Sequence, residues 1–413
     1  MNNQDIYVLG GSQTDYSRNW ARESMGIYEL FESCLQQGLS QTNIPAKDVD
    51  VAHVGNFVAD LFTGQSQLNG FFSHAEPAFG DIPTSRHEAA CASGSMALLG
   101  AMRDLEAGHY QLACVMGIEL MRNVDSATGA GYLGSAAWVG KEAQDCRYVW
   151  PRLFADLLEH YQQRHGLDTQ YLSRISEINF ASAKRNPNSQ TRNWQFGPDS
   201  FSQQDEFNPI VEGQLRKQDC GQITDGAAVV FLANKSYAAE YAKKHNIKLS
   251  AIPRIKGWGH RSAPLLMKRK LELSQTDGLI FPHVKRTFDD ALKRAGLADV
   301  HALDLLEVHD CFSMTEYMLI DHLGLTAPGE SWKAIENGSI DFTGALPINP
   351  SGGLIGLGHP VGATGVRMML DGFKQVTGQC ADYQVDNAKN VGIFNLGGSA
   401  TTCASFVIGT DNH

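Results

Sequence analysis

Four stretches of the 413-residue chain carry side chains that could do chemistry. In Arg86-His-Glu-Ala-Ala-Cys-Ala-Ser-Gly-Ser95, small residues surround Cys91 at the predicted start of an apolar helix. A helix N-terminus supplies unpaired N–H groups and a partial positive charge, which favour thiolate over thiol and can hold an oxyanion after attack. A buried structural thiol is the competing reading, because free Cys is among the most buried residue types. The second stretch, Asn349-Pro-Ser-Gly-Gly-Leu-Ile-Gly-Leu-Gly-His-Pro-Val-Gly-Ala-Thr-Gly365, sets His359 among many glycines. Such a composition lets backbone approach a ligand or another loop closely. An imidazole there could take the proton of Cys91 and stabilise developing negative charge. The third, Glu307-Val-His-Asp-Cys-Phe-Ser313, closes a predicted strand, and strand ends in α/β sheets are where ligand sites are built. His309 and Cys311, two residues apart on an extended segment, face the same side and suit acid/base work. The fourth, Asn395-Leu-Gly-Gly-Ser399, could present backbone N–H groups to an oxyanion, or be a plain turn.

The elements that must position these residues occur twice. Apolar residues at helical spacing (Met25, Leu30, Phe31, Leu35, Leu39) precede Asp50 and a strand-like Val51-Ala-His-Val-Gly55. The same order returns in a helix over 284–295, then Asp304, then Leu305-Leu-Glu-Val-His309, so that Asp50 answers Asp304 and Val54 answers Val308. Cys91-Ala-Ser-Gly94 opens an apolar helix over 96–105, and Gly362-Ala-Thr-Gly365 opens another over 366–373. Strands follow each helix at 112–117 and 391–395, and each half ends on an Ala/Val-rich strand, 225–232 and 401–408. Alternating strands and helices imply layered α/β units, and their repetition implies two similar halves packed together. The expected division is a first half over 1–119 and 225–275, an insertion over 120–224, and a second half over 276–413. An insertion of that size on a connection commonly builds a lid or a binding surface.

Composition narrows the function classes. Forty-five acidic against 34 basic residues give a net charge of −11, which argues against nucleic acid or an anionic membrane as the main partner. Basic clusters are only short, such as Lys268-Arg269-Lys270, which argues the same way. The eight cysteines are scattered, without a C-x-x-C pair or zinc-type spacing, so neither a disulfide framework nor a metal is expected. The start has no secretory pattern, no apolar run suggests a membrane span, and the final Asp411-Asn-His413 lacks a peroxisomal signal; the expected setting is the cytoplasm.

Cys91-Ala-Ser-Gly94, His309-Asp-Cys-Phe312, Asn349-Pro-Ser-Gly-Gly and Gly358-His-Pro-Val-Gly-Ala-Thr-Gly365, in this order, resemble the thiolase superfamily, and the His-Asp-Cys-Phe form resembles its sterol-carrier-protein-2 type. The resemblance covers essentially the whole chain. It implies two βαβαβαββ halves in a five-layered α-β-α-β-α arrangement, with the insertion as a loop domain that receives coenzyme A, and Trp150-Pro151 near the acyl or pantetheine channel. By the same resemblance Cys91 is the nucleophile that carries the acyl group and His359 activates it. One departure stands out: the acid/base Cys of the usual Cys-x-Gly motif is replaced by Asn395. In the sterol-carrier type that role passes to Cys311, and His309 joins the oxyanion hole around the thioester oxygen with His359. The backbone N–H groups of Cys91 and Gly397 form the second hole.

The implied activity is Claisen chemistry that makes or cleaves 3-ketoacyl-CoA in lipid metabolism, with coenzyme A thioesters as substrates and no separate cofactor. A homodimer or dimer of dimers is implied, and a small OB-fold accessory protein is a candidate partner. The competing readings are a ketosynthase-like condensing enzyme, an acyltransferase to a non-CoA acceptor, and a non-catalytic acyl-CoA binder. Cys311 argues against the first of these, and retention of Cys91, Cys311 and His359 argues against the last.

Overall fold

A computed structural model describes residues 5–411. In chain order its strands are β1 (Ile6–Gln13), β2 (Val51–Gly55), β3 (Thr84–His87), β4 (Leu112–Glu119), β5 (Ile210–Glu212), β6 (Leu215–Arg216), β7 (Gly226–Asn234), β8 (Arg254–Ser262), β9 (Leu305–Val308), β10 (Asn390–Gly397) and β11 (Thr402–Gly409). Apart from the β5–β6 hairpin they form one mixed sheet in the order β3-β2-β4-β7-β1-β8-β11-β10-β9. The join is narrow: β1 meets β8 through the single registered pair Tyr7–Arg254, whereas β8 pairs along its length with β11. The strand β8, upstream of the boundary expected at 275, is thus sheet-bonded to the second half.

Side-chain alternation along the strands divides the core into layers, because successive residues point to opposite faces. Leu9, Met116 and Phe231 pack with Phe31 and Leu35 of the helix Ile27–Thr42 on one outer face. Their neighbours Val8, Val115 and Val230 face inward, onto the helices Ser93–Glu106 and Thr364–Thr377. Ile393 and Phe406 of the second half cover the same two helices from the other side. Phe394 and Val407 then point outward, to Val284 and Phe288 of the helix Pro282–Ala295. The result is helix, sheet, paired central helices, sheet, helix, the five layers expected.

The duplication extends to single hydrogen bonds. Asp50 Oδ2 accepts from the N–H groups of Gln111 and Leu112 (2.7 and 3.1 Å), and Asp304 Oδ2 accepts from those of Lys389 and Asn390 (2.7 and 2.8 Å). Each carboxylate ties the start of one parallel strand to the start of its neighbour. The two central helices abut at their N-termini, where a Cβ on Gly94 would lie 2.7 Å from the Gly362 carbonyl oxygen. Glycine is required there for the close approach, and that approach sets the Cys91 loop beside the His359 loop.

The insertion carries three helices, Ser126–Leu133, Val149–His165 and Gln170–Ala183, and the β5–β6 hairpin. It packs on the second half: Phe154 stacks on Phe312 (4.6 Å between ring centroids), and the Tyr161 hydroxyl donates to Asp321.

Candidate active site

Cys91 lies in a single helical turn, Ala90–Ala92, immediately before the central helix Ser93–Glu106. Ala90 holds a left-handed φ of 51°, uncommon for a residue with a Cβ. The turn is pinned by Glu88 and Ser93: Ala90 N–H donates to Glu88 Oε1 (2.6 Å) and Ser93 Oγ donates to the Ala90 carbonyl (2.6 Å). Asn349 (φ 51°) and Ala400 (φ 61°) adopt the same region in or beside two other stretches singled out by sequence. Strained backbone of this kind is retained where the surroundings over-determine it.

The structure brings the sequence candidates together. The sulfur of Cys91 and one ring nitrogen each of His309 and His359 lie within 4.8 Å of one another. The two imidazoles meet edge to face, 5.3 Å between centroids at 87°. Cys311 lines the same cavity as Cys91 and His359, with its sulfur 3.9 Å from Thr315 Oγ1. The Cys/His/His set also has donor types and spacing that a transition-metal ion would accept.

Each imidazole is oriented by a named partner. His359 Nδ1 is 2.7 Å from Thr364 Oγ1, and the Thr364 hydroxyl is directed to the Pro360 carbonyl (3.2 Å). With the hydroxyl hydrogen so placed, Nδ1–H is the donor and Nε2 of His359 is left as an acceptor. His309 has the opposite arrangement. Ser95 Oγ donates to Asn395 Oδ1 (2.7 Å), which turns the carboxamide nitrogen of Asn395 toward His309 Nδ1 (3.1 Å). An amide NH₂ only donates, so Nδ1 accepts and Nε2 of His309 carries the hydrogen. Both Nε2 atoms are buried without a partner among the described residues. The pair thus offers a base and a hydrogen-bond donor side by side.

Burial governs the charges. It pushes the Cys91 thiol up to about 12, an effect only partly offset by the backbone N–H groups of Gly398 and of Cys91 itself. The helix-start stabilisation of thiolate expected from sequence is outweighed. Burial and the neighbouring Cys91 raise Cys311 well above the ordinary thiol value. Burial lowers His359 to about 3, and burial together with His359 lowers His309 well below the imidazole range. Each of these shifts favours the neutral form of its group.

The N–H groups facing the Cys91 sulfur are its own and that of Gly398. Gly397 is the last residue of β10, and a Cβ there would stand 2.2 Å from the Ala89 carbonyl oxygen. The insertion completes the walls. Gly221 N–H donates to the Cys311 carbonyl (2.8 Å), His359 N–H donates to Thr224 Oγ1 (2.9 Å), and Ser189 and Thr191 both donate to the Gly356 carbonyl. Trp150 lines the cavity, with its indole N–H held by the Leu133 carbonyl (2.8 Å).

Three contributors escape sequence reasoning. Thr364 lies inside a quoted motif, yet its bond to His359 depends on the turn between them. Glu119, at the end of β4, accepts N–H groups from Phe57, Val58 and Gly362, clamping the two abutting loops. Lys270, in a short basic cluster, is 3% exposed; its ammonium donates to Ser399 Oγ (2.6 Å), Thr401 Oγ1 (3.1 Å) and the Leu265 carbonyl (3.0 Å).

Two duplicated halves that together make five layers, with a Cys loop and a Gly-rich His loop meeting at their junction, define a class of α/β proteins. The chain belongs to the thiolase family: residues 6–181 match the pattern "Thiolase, N-terminal domain" and 267–410 match "Thiolase C-terminal domain-like". It is 30% identical to an acetyl-CoA acetyltransferase of Methanocaldococcus jannaschii, over 98% of this chain and 99% of that one. It is 25% identical to sterol carrier protein 2 of Gallus gallus, over 98% of this chain and 72% of that protein. The solved structure of an "Ltp2-ChsH2(DUF35) aldolase" superposes with a TM-score of 0.78 at 18% identity, covering 99% of this chain and 98% of the other.

Proposed function

We propose that this chain is an acyl-CoA C-acyltransferase that makes or cleaves 3-ketoacyl-CoA through an acyl-Cys91 intermediate. The observation that carries this reading is the convergence of Cys91, His309 and His359 within 4.8 Å, at the junction of two helix N-termini, with Cys311 in the same cavity.

In the cleavage direction the Cys91 sulfur adds to the C3 carbonyl of the substrate while its proton passes to His359 Nε2. The N–H groups of Cys91 and Gly398 face that sulfur and are placed to hold the oxyanion on C3; Gly397, one residue earlier, is the position the motif assigns. The C2–C3 bond then breaks, its electron pair going to C2. The thioester oxygen of the departing enolate is held by His309 Nε2–H and by His359, now a donor. Cys311 gives its proton to C2, releasing acetyl-CoA. A coenzyme A thiol gives its proton to the Cys311 thiolate and attacks the acyl-Cys91 thioester; the Cys91 sulfur leaves, recovers its proton from His359, and the acyl-CoA shortened by two carbons departs. Run in reverse, the same steps are a Claisen condensation.

The insertion over 120–224 is the proposed coenzyme A surface, since its segments form much of the cavity wall. Among the described residues no helix is long and apolar enough to cross a membrane, and a cytoplasmic dimer acting in lipid metabolism is the proposed working form. A small accessory protein belongs to the proposal because the structurally similar Ltp2 aldolase is paired with ChsH2(DUF35).

Brief mixing with acetyl-CoA, followed by intact-mass spectrometry and peptide mapping, tests the reading. An acetyl group on Cys91 is expected. Acetyl-CoA bound without any adduct, together with no thiolysis of a 3-ketoacyl-CoA, would overturn it.

A further inference from the structure

Behind the reacting side chains lies a set of buried charges that the proposed steps do not use. Glu307, Asp310, Glu316 and Asp371 are fully buried, and so is Arg367, the guanidinium that pairs with two of them. A buried carboxylate is costly without a cation or a full set of donors, so the partners of each one decide which are ionised. Glu307 accepts from Arg367 Nη1 (3.0 Å) and from the N–H and Oγ of Ser351 (3.1 and 2.6 Å). Asp371 accepts from the same guanidinium (3.0 Å) and from the Tyr383 hydroxyl (3.0 Å). Asp310, between His309 and Cys311, accepts from the N–H groups of Leu354 (2.6 Å) and Ile355 (3.3 Å) and from Asn179 Nδ2 (2.9 Å).

Glu316 is served differently. Its Oε2 accepts from Asn179 Nδ2 (2.7 Å) and Asn349 Nδ2 (2.8 Å), but its Oε1 is buried without a partner among the described residues. The Asn179 amide is therefore shared by two carboxyls, and like charges that close favour a proton on one of them. Burial raises Glu316 above the ordinary carboxyl value of 4.5, and Asp310 raises it further. At Asp310 the effect of burial is opposed by the Leu354 and Ile355 N–H groups.

The pair lies where it can hold the site together. Asp310 ties the strand end bearing His309 and Cys311 to the turn Gly353–Leu357, which leads to His359; a Cβ on Gly353 would stand 2.2 Å from Asp310 Oδ2. Asn349, at the start of the same loop, donates to Glu316 and accepts from Val308 N–H (2.8 Å). A negative charge on Glu316 would push against Asp310 across Asn179 and loosen that loop.

We infer that Glu316 is a positioning residue that works as a neutral carboxylic acid: its proton leaves Asp310 as the one anion on Asn179 and so keeps the His359 loop against His309 and Cys311. The inference rests on the acyltransferase reading for its catalytic consequence, whereas the proton itself can be read without turnover. The charges acting on Glu316 are those of Asp310 and Glu307 from the strand end. The insertion and the Gly-rich loop face it with the neutral amides of Asn179 and Asn349. Arg367 and Asp371 of the helix Thr364–Thr377 pair with each other, and Asp219 of the insertion accepts from Ser313 Oγ (2.9 Å), one turn before Glu316.

The test compares Glu316→Gln and Glu316→Leu with the unaltered full chain in thiolysis of acetoacetyl-CoA. Glu316→Leu leaves the Asn179 and Asn349 amides unpaired and is expected to lower kcat at neutral pH by at least about 10-fold, with KM within about twofold. Glu316→Gln offers both amides a neutral acceptor and is expected to rescue kcat to within about threefold. Toward about pH 10 the unaltered enzyme loses the Glu316 proton, and its kcat is expected to fall at least about 10-fold relative to Glu316→Gln. Ionisation of the substrates is common to both proteins and cancels in that ratio, and Cys91, at about 12, titrates too high to produce it.

Denaturant melts supply the readout that needs no activity. A carboxyl raised on folding binds more protons in the folded chain than in the unfolded one, so its contribution to stability falls as pH rises above the unfolded value. Glu316→Gln lacks that loss, and its midpoint is expected to gain on the unaltered chain from about pH 5 to about pH 8. Glu316→Gln as impaired as Glu316→Leu at neutral pH, or pH profiles and melts parallel to those of the unaltered chain, would overturn the inference and leave the acyltransferase reading standing. No turnover by the unaltered chain and no adduct on Cys91 would overturn that reading and the positioning role with it, while divergent melts would still uphold the proton on Glu316.

Discussion

The carboxamide nitrogen of Asn395 donates to Nδ1 of His309 across 3.1 Å, while Ser95 fixes the carboxamide oxygen from the other side. By the motif resemblance Asn395 takes the place of a second cysteine, and in this structure its side chain orients an imidazole. It holds His309 in the tautomer whose Nε2–H points into the site. Asn395→Ala frees the ring to adopt either tautomer. The expected result is a fall in kcat for thiolysis of about 100-fold, the scale of losing one oxyanion donor, with KM within about twofold. Equal losses in kcat and thermal stability would mean that Asn395 only supports packing.

The two thiols are expected to separate the half-reactions. In the proposed mechanism Cys91→Ala removes the atom that would carry the acyl group, so acylation by acetyl-CoA and thiolysis should both vanish while the circular dichroism spectrum is kept. Cys311→Ala should still show an acetyl adduct on residue 91 by mass spectrometry but lose carbon–carbon cleavage by about 100-fold or more. Loss of the adduct in Cys311→Ala would assign Cys311 to positioning rather than proton transfer.

The outline of this molecule is legible in its sequence because it is written in periodicity and glycine. The strand over 51–55 and the helices opening at Ser93 and Thr364 follow from apolar spacing and from Gly94 and Gly365, and Asp50 and Asp304 mark the duplication. The strand β8 escapes such a reading: Arg254–Ser262 alternates charged and aromatic residues with glycine, and Gly257 and Gly259 are needed where backbone of the helix Pro282–Ala295 lies within 2.0 Å of a built Cβ. The candidate residues that converge on one cavity are readable from their motifs, but their charge states are not, because burial depends on how four loops close over them. The pairing of Asn395 with His309 is equally hidden, since 86 residues separate the two.

That burial sets the reactivity of Cys91. Its pKa is raised to about 12, so the thiol stays protonated through neutral pH and the thiolate fraction rises tenfold per pH unit below that value. Alkylation of Cys91 by iodoacetamide, followed by peptide mapping, should therefore be slow at pH 7 and accelerate by about 10-fold per unit up to about pH 10, without a plateau. A plateau near neutral pH would mean that the thiol is paired with His359 as an ion pair in the resting enzyme.

Lys270 supports the site from behind. Its ammonium ties Ser399 and Thr401 to the Leu265 carbonyl, and the residue before Ser399 is Gly398, whose N–H faces the nucleophile. Lys270→Met keeps the stem and removes the donors, at an expected cost of about 1–3 kcal/mol in stability and about 10-fold in acylation of Cys91. Burial lowers the Lys270 pKa to about 8 from its ordinary 10.5, with Glu142 opposing the shift. Between these values the unfolded chain binds more protons than the folded one, so the Lys270 contribution to stability rises with pH. Denaturant melts of both proteins at about pH 7.5 and about pH 10 should therefore show the deficit of Lys270→Met widening by about 2 kcal/mol at the higher pH. A deficit that is constant or shrinks would place the ammonium in a wetter environment than the one between Ser399 and Thr401.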